Sequence, residues 1–206
     1  MKSIFNQYYE RYDAWYERNK FAYLSEIEAI KKVLPKEGKG LEIGVGTGRF
    51  AHPLGIEYGI DPSINMLKIA RKRGIKVVVS YGEHLALRSS YFDYIAIIIT
   101  LCFVQNPQKV LEESKRILKK EGKIIIGMVD RDSFLGKFYQ RKKSLFYKEA
   151  NFLDVKEVTN LIKKTGFNKL SYYQTIFNLP QEINSIEKPQ KGIGEGSFIV
   201  ISAQKR

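Results

Sequence analysis

The chain has 206 residues, 44% of them apolar, enough for one folded unit with a sizeable core and too many for a disordered chain. One cysteine, Cys102, excludes an intramolecular disulfide framework, and no apolar run reaches the roughly eighteen residues of a membrane helix. Residues Met1 to Tyr9 lack a signal-peptide core, so a cytoplasmic protein is expected; the net charge of +13 is spread along the chain and reads as a solvated, lysine-rich surface.

Residues 3–34 carry a helical pattern. Ile4, Tyr8, Tyr12, Trp15 and Tyr16 come first, then Leu24, Ile27, Ile30 and Leu34 with charges between them. A turn over 35–40 leads to Leu41-Glu42-Ile43-Gly44-Val45-Gly46-Thr47-Gly48-Arg49-Phe50, a short apolar run followed by glycines at alternate positions. That pattern predicts a buried strand, a tight loop where a ligand can approach the backbone, and a helix. The helix has only 49–55 to use and contains Pro53, so it must stop early or kink. Asp61 ends the next apolar run, where a carboxylate can accept from both hydroxyls of a ribose. Gly44 and Gly46 fit the dinucleotide fingerprint, but its last position is Arg49, and no Gly-Lys-Ser/Thr follows for a phosphate loop.

This Glu-x-Gly-x-Gly-x-Gly, with an acid at the end of the following strand, resembles the class I S-adenosylmethionine-dependent methyltransferases. Within them it is similar to the small-molecule group that includes the ubiquinone- and menaquinone-biosynthesis enzymes. The resemblance implies an α/β fold, Rossmann-like, with a seven-stranded mainly parallel sheet, helices on both faces and the last strand antiparallel. It implies S-adenosylmethionine as cofactor. Gly44, Gly46 and Gly48 would let the backbone approach it, Asp61 would bind the ribose, and Glu42 would order the loop or a water near the methionine amino group. Pro62 and Met66, just after the acid, fall where the family lines the adenine. Tyr12-Asp13-Ala14-Trp15 matches a stretch that such enzymes place over the cofactor, so Tyr12, Trp15 and Tyr16 are expected in a lid; an aromatic near the sulfonium offers a cation–π contact.

Further along, 62–74 reads as a helix with proline in its first turn, Ile64 and Leu67 inside and Gly74 as its stop. Lys76 to Ser80 reads as a strand. Tyr81-Gly82-Glu83-His84-Leu85-Ala86-Leu87 then resembles the family's adenine loop, Ala-Glu-x-Leu-Pro-Phe, which assigns Gly82 and Glu83 to the adenine. His84 is a candidate general base, with an exposed loop histidine as the plainer reading. Ile95 to Thr100 is a buried parallel strand, and Thr100 and Leu101 at its end would line the methionine side. Cys102 follows leucine rather than proline and reads as a small apolar residue. Asn106-Pro107 opens a helix, and Arg116-Ile117-Leu118-Lys119-Lys120-Glu121-Gly122 resembles the family's helix–turn–strand step.

Over 131–150, Phe134, Phe138, Tyr139, Phe146 and Tyr147 alternate with Arg131, Lys137, Arg141, Lys142, Lys143 and Lys148. A nucleic-acid groove and an amphipathic cap over a pocket would both show this; the cap is preferred, and an anionic acceptor would meet these cations. Asp154 caps a helix that stops at Gly166, and two strands, 167–177 and 197–204, close the chain. Gly192-Ile193-Gly194-Glu195-Gly196 precedes a strand, so it is read as a turn. No His or Cys pair has metal spacing, so no metal is expected.

The expected organisation is a single domain over 1–206, with a helical lid (1–36), a cofactor core (37–130), a substrate cap (131–153) and a terminal helix and strand pair (154–206). The expected activity is methyl transfer to a small-molecule acceptor. An RNA methyltransferase and a non-catalytic cofactor-binding module on the same fold remain alternatives.

Overall fold

The computed structural model describes residues 4–142 and 144–206; the expectations that fall on Met1, Lys2, Ser3 and Lys143 lie outside the described residues. The centre is a sheet whose strands are apolar on both faces. In β4 (Phe92–Ile98), Ile95 and Ile97 join one buried cluster while Ala96 and Ile98 join the other, as the alternation of a strand requires. One face is covered by α3 (Lys20–Lys31) and α4 (Ile64–Lys72), the other by α5 (Pro107–Ile117) and α7 (Val155–Thr165).

The remaining strands are β1 (Gly40–Ile43), β2 (Tyr58–Asp61), β3 (Lys76–Val79), β5 (Leu118–Val129), β6 (Phe167–Thr175), β7 (Gln190–Lys191) and β8 (Phe198–Lys205). Their order is β3-β2-β1-β4-β5-β8-β6-β7. The strands from β3 to β5 pair in parallel, and β8 runs antiparallel to both β5 and β6. The sheet has eight strands rather than seven because the two-residue β7 pairs with the edge of β6. Strand order reverses between β1 and β4, which opens a crevice at their carboxyl ends.

Four local expectations change. The helical pattern over 3–34 breaks into α1 (Ile4–Gln7), α2 (Tyr9–Arg18) and α3, with turns at Tyr8 and Asn19. No helix follows the glycine loop: 49–55 forms successive turns, because Pro53 has no N–H to offer the Arg49 carbonyl. The Tyr23 hydroxyl of α3 donates to that carbonyl instead. Ser63 rather than Pro62 begins α4: its hydroxyl accepts from the Met66 amide, and Ile64 turns out to solvent, 55% exposed. Finally, α5 passes directly into β5 at Leu118, and the expected turn survives as an irregularity in which Glu121 takes φ 61°. The Asp154 cap behaves as expected: it forms a capping box with Glu157, and Gly166 closes the helix at φ 89°.

The N-terminal helices are tied to the glycine loop by one carboxylate. Asp13 of α2 accepts from Arg49 Nε at 2.9 Å, from Arg73 Nη1 and Nη2 at 2.8 and 2.9 Å, and from Thr47 Oγ1 at 2.6 Å. Burial opposes its ionisation, yet the hydrogen bonds from Arg73, Arg49 and Thr47 hold the carboxyl well below the usual carboxylate range. Asn6 adds a second tie, its carbonyls accepting from Ser63 Oγ and from the Asn65 amide and side chain.

Replacing Asp13 by Asn should leave two partly buried guanidinium groups without their carboxylate and cost about 2 kcal/mol, somewhat below the loss for a fully buried pair. Urea denaturation of the variant and the wild type measures it. Because the native carboxyl is depressed, the difference should be full at neutral pH and shrink as pH falls below about 4.

Candidate active site

Two cavities adjoin at the carboxyl ends of β1 and β4. The larger, about 880 Å³, is lined by Gly44, Gly46, Asp61, Pro62, Met66, Gly82, Glu83, His84 and Thr100 among others. The smaller, about 360 Å³, lies beneath α2 and the cap and is lined by Trp15, Tyr16, Leu101, Phe138 and Tyr139 among others. Phe5, Tyr12, Ile99, Thr100 and Phe103 line both, so the two cavities meet at these residues.

The larger cavity is shaped by missing side chains. Gly46 has φ 51° and faces Met66 Sδ and Tyr12, which a Cβ would meet at 3.3 and 3.8 Å. Gly44, at φ 73°, lies against Thr100, whose Cγ2 would stand 2.3 Å from a Cβ. Asp61 holds this loop in shape: Oδ2 accepts from the Gly46 amide at 3.0 Å and Oδ1 from the Ser63 amide at 2.8 Å. Burial pushes the Asp61 carboxyl up to about 6, against the pull of those two amides. Each oxygen keeps a lone pair for a donor arriving from the cavity. Glu83 accepts from the Gln105 and Asn106 amides and so joins the 82–87 loop to the loop after β4.

Ile99 is the strained residue of the site. A β-branched side chain at φ 49° costs on the order of 1–3 kcal/mol, and it sits where β4 ends, its amide held by the Gly127 carbonyl at 2.7 Å. The reversal there presents Ile99 and Thr100 to both cavities and Leu101 to the smaller one.

Several expected residues stand elsewhere. Gly48 lines neither cavity; a Cβ there would strike Ile75 Cδ1 at 2.4 Å and Ala70 Cα at 3.3 Å, so this glycine lets the loop pack on α4. Glu42 also lines neither. It is buried within β1 with Oε2 unpartnered among the described residues, and burial raises its carboxyl well above the ordinary range. Leu101 borders the smaller cavity only, and Phe134 lies on the outer side of α6 (Phe134–Arg141), 39% exposed. His84 is exposed at the rim of the larger cavity. Cys102 borders the smaller cavity, but burial pushes its thiol up to about 12, far from a nucleophilic thiolate. The cap cations mostly face away: Arg131 pairs with Asp154 and with Glu157, the latter at 2.8 Å, and Lys137, Arg141 and Lys148 are exposed and line neither cavity.

Glu26 is the residue the sequence pattern concealed. Its helix was expected to bury Leu24, Ile27 and Ile30, leaving Glu26 among the charges. Instead α3 also buries Ala22, Ser25 and Ala29, and Glu26 lies on that small-residue stripe, 3% exposed, at the wall of the smaller cavity. Oε2 has no hydrogen-bond partner among the described residues, and burial alone pushes the carboxyl up to about 8. The small residues one helical turn away were the available signal. Phe5 of the smaller cavity was equally outside the sequence-based site, whereas Phe146 and Tyr147 come from the stretch expected to form the cap.

A family model described as a methyltransferase domain matches residues 41–126. A solved structure from Thermotoga maritima, titled SAM-dependent methyltransferase, possible histamine N-methyltransferase, is 47% identical and superposes over 100% of both chains with a TM-score of 0.97. The chain belongs to the class I S-adenosylmethionine-dependent methyltransferases. An uncharacterized protein of Methanocaldococcus jannaschii is 52% identical, across 98% of this chain and 99% of its own. A rat thiol S-methyltransferase is 34% identical over 118 residues, 52% of this chain and 48% of that protein. The cofactor of this methyltransferase is therefore S-adenosylmethionine. No helix among the described residues is long and apolar enough to cross a membrane.

A carboxyl raised from 4.5 to about 8 keeps in the folded state a proton that the unfolded chain has already lost, so its contribution is full below about 4.5 and is lost as the pH rises to about 8. Wild-type stability, followed by thermal unfolding, should therefore decline between about pH 4.5 and 8 and level off above, relative to that of Glu26→Gln, which has nothing to ionise there.

Proposed function

We propose that the methyltransferase acts on a small molecule bound in the smaller cavity, with the cofactor in the larger one and the transferred methyl group facing the junction at Tyr12 and Thr100. The observation that carries this reading is the pairing itself. A glycine-walled cavity adjoins, at Phe5, Tyr12, Ile99, Thr100 and Phe103, a second cavity of about 360 Å³, the scale of a small-molecule site.

In this reading Gly44 and Gly46 give the cofactor access to backbone, and Asp61 accepts from its ribose hydroxyls. Pro62, Met66, Gly82 and Glu83 frame the adenine, and Thr100 borders the methionine end. The cofactor supplies a methyl group on a sulfonium, already a strong electrophile. The protein's part is alignment and exclusion of water, for which on the order of 7–11 kcal/mol is available. Phe5 stacks on Phe146 at 5.4 Å and meets Tyr12 edge-on at 5.7 Å, closing an aromatic roof over the junction. The exposed cap cations Lys137, Arg141 and Lys148 line neither cavity, so they would meet RNA only outside the space assigned to the acceptor.

The test uses S-adenosylmethionine with a labelled methyl group and a cell extract divided into small molecules, RNA and protein. Label in the small-molecule fraction is expected; label in RNA would overturn the reading. Asp61→Ala should weaken cofactor binding about a hundredfold, two hydrogen bonds to a charged group being lost. Wild-type affinity, measured by calorimetry, should fall as pH drops through about 6 and Asp61 takes a proton, and this step should vanish in Asp61→Asn.

A further inference from the structure

Nothing in the proposed cofactor chemistry uses Glu26. A buried carboxylate oxygen without a hydrogen-bond partner among the described residues is costly. Glu26 lines a cavity rich in aromatic side chains, among them Tyr12, Tyr16, Phe146, Tyr147 and Tyr139, the last stacked on Tyr147 at 4.3 Å. Ring faces and one carboxylate are the groups that bind an organic cation. Among the described residues the cations of that cavity, Arg11, Arg18 and Lys142, are exposed at its rim, and Lys142 stands over the Phe138 ring at 5.4 Å. An anionic acceptor could pair with them only at the rim and would be repelled by an ionised Glu26 further in.

We propose that the acceptor is a small amine, bound as its ammonium ion against Glu26 within this aromatic wall, and that Glu26 takes the proton which must leave nitrogen before it is methylated. The proposal rests on the methyl-transfer reading above. The titratable groups that face Glu26 are Tyr12 and Tyr16 of α2, Tyr23 of its own helix, and Tyr139 and Tyr147 of the cap. Burial raises all five hydroxyls, so each stays neutral in the working range and Glu26 is the group that changes charge.

The protons balance. Resting Glu26 is a neutral acid; when the ammonium binds, Glu26 ionises and one proton goes to water. The ammonium then gives a proton to Glu26, which frees the nitrogen lone pair. That pair forms the new N–C bond while the C–S bond breaks and its electrons stay on sulfur, leaving the neutral thioether. The product departs as a methylammonium ion, and Glu26 is again the neutral acid. The net reaction releases one proton.

The test uses a panel of primary alkyl- and arylalkylamines up to 2-phenylethylamine, with thiols and carboxylates on the same carbon skeletons. Calorimetry in two buffers of different ionisation enthalpy, at pH 7 without cofactor, should show an amine binding with release of about one proton. With labelled cofactor, amines should be methylated in preference to the thiols and carboxylates. In Glu26→Gln, proton release should disappear and kcat/KM for the amine should fall at least about a hundredfold, the scale of a lost acid–base group. Unchanged cofactor affinity in that variant shows that it is folded, and Glu26→Asp should recover part of the rate. Methylation of thiols or carboxylates with every amine inert would overturn the proposal while leaving the methyl-transfer reading intact. So would a Glu26→Gln variant as active as wild type, or a protein that binds cofactor and methylates nothing in the panel. Failure to bind the cofactor at all would instead sink the methyl-transfer reading.

Discussion

The site depends on the Asp13 carboxylate. Two arginines from different parts of the chain, Arg49 after the glycine loop and Arg73 at the end of α4, converge on it together with the Thr47 hydroxyl. This fixes the rotation of α2, and that rotation sends Tyr12 and Tyr16, one turn apart, down towards the sheet. Their hydroxyls meet at 2.6 Å. The aromatic roof is held from outside by the Asp13 ion pairs and closed on the inside by rings.

Under that roof, the reversal of strand order between β1 and β4 supplies the space, and two kinds of backbone line it. The glycines of the first loop take left-handed conformations at little cost. Ile99 takes one at a cost, because a strand must end abruptly there for Thr100 to border both cavities. The strained residue and the permissive ones therefore serve the same junction. Glu26 is a third expense: a carboxylate inside an aromatic wall, raised by burial and unrelieved by any partner. Folding alone does not account for it, and the proposed ammonium ligand does.

Much of this was legible where local chemistry dictates local geometry. Asp154 with Glu157 and Gly166 specifies both ends of a helix. The Gly44–Gly46 loop with Asp61 marks one cavity, and the two-sided apolar run of β4 marks a central parallel strand. Legibility failed where a residue's partner comes from far away. Gly48 reads as a third ligand glycine but packs against Ile75 and Ala70. Pro53 reads as an early stop or a kink, yet the helix is lost altogether, and Tyr23 from α3 satisfies the carbonyl that Pro53 leaves without a donor. The cap reads as a basic face, and its Arg131 is taken by Asp154 and Glu157.

By itself, then, the sequence determined the family, most of the order of the elements, the cofactor and the glycine loop that walls the larger cavity, because those are written in short runs of glycine, apolar and capping residues. Tertiary structure decided what surrounds the smaller cavity. It rolled α3 onto its small-residue stripe and turned Glu26 inward, left most of the cap's cations outside, and gathered rings from α1, α2 and the cap around one space. Each of these outcomes depends on which face of an element meets another, and that is set by packing between segments far apart in the chain.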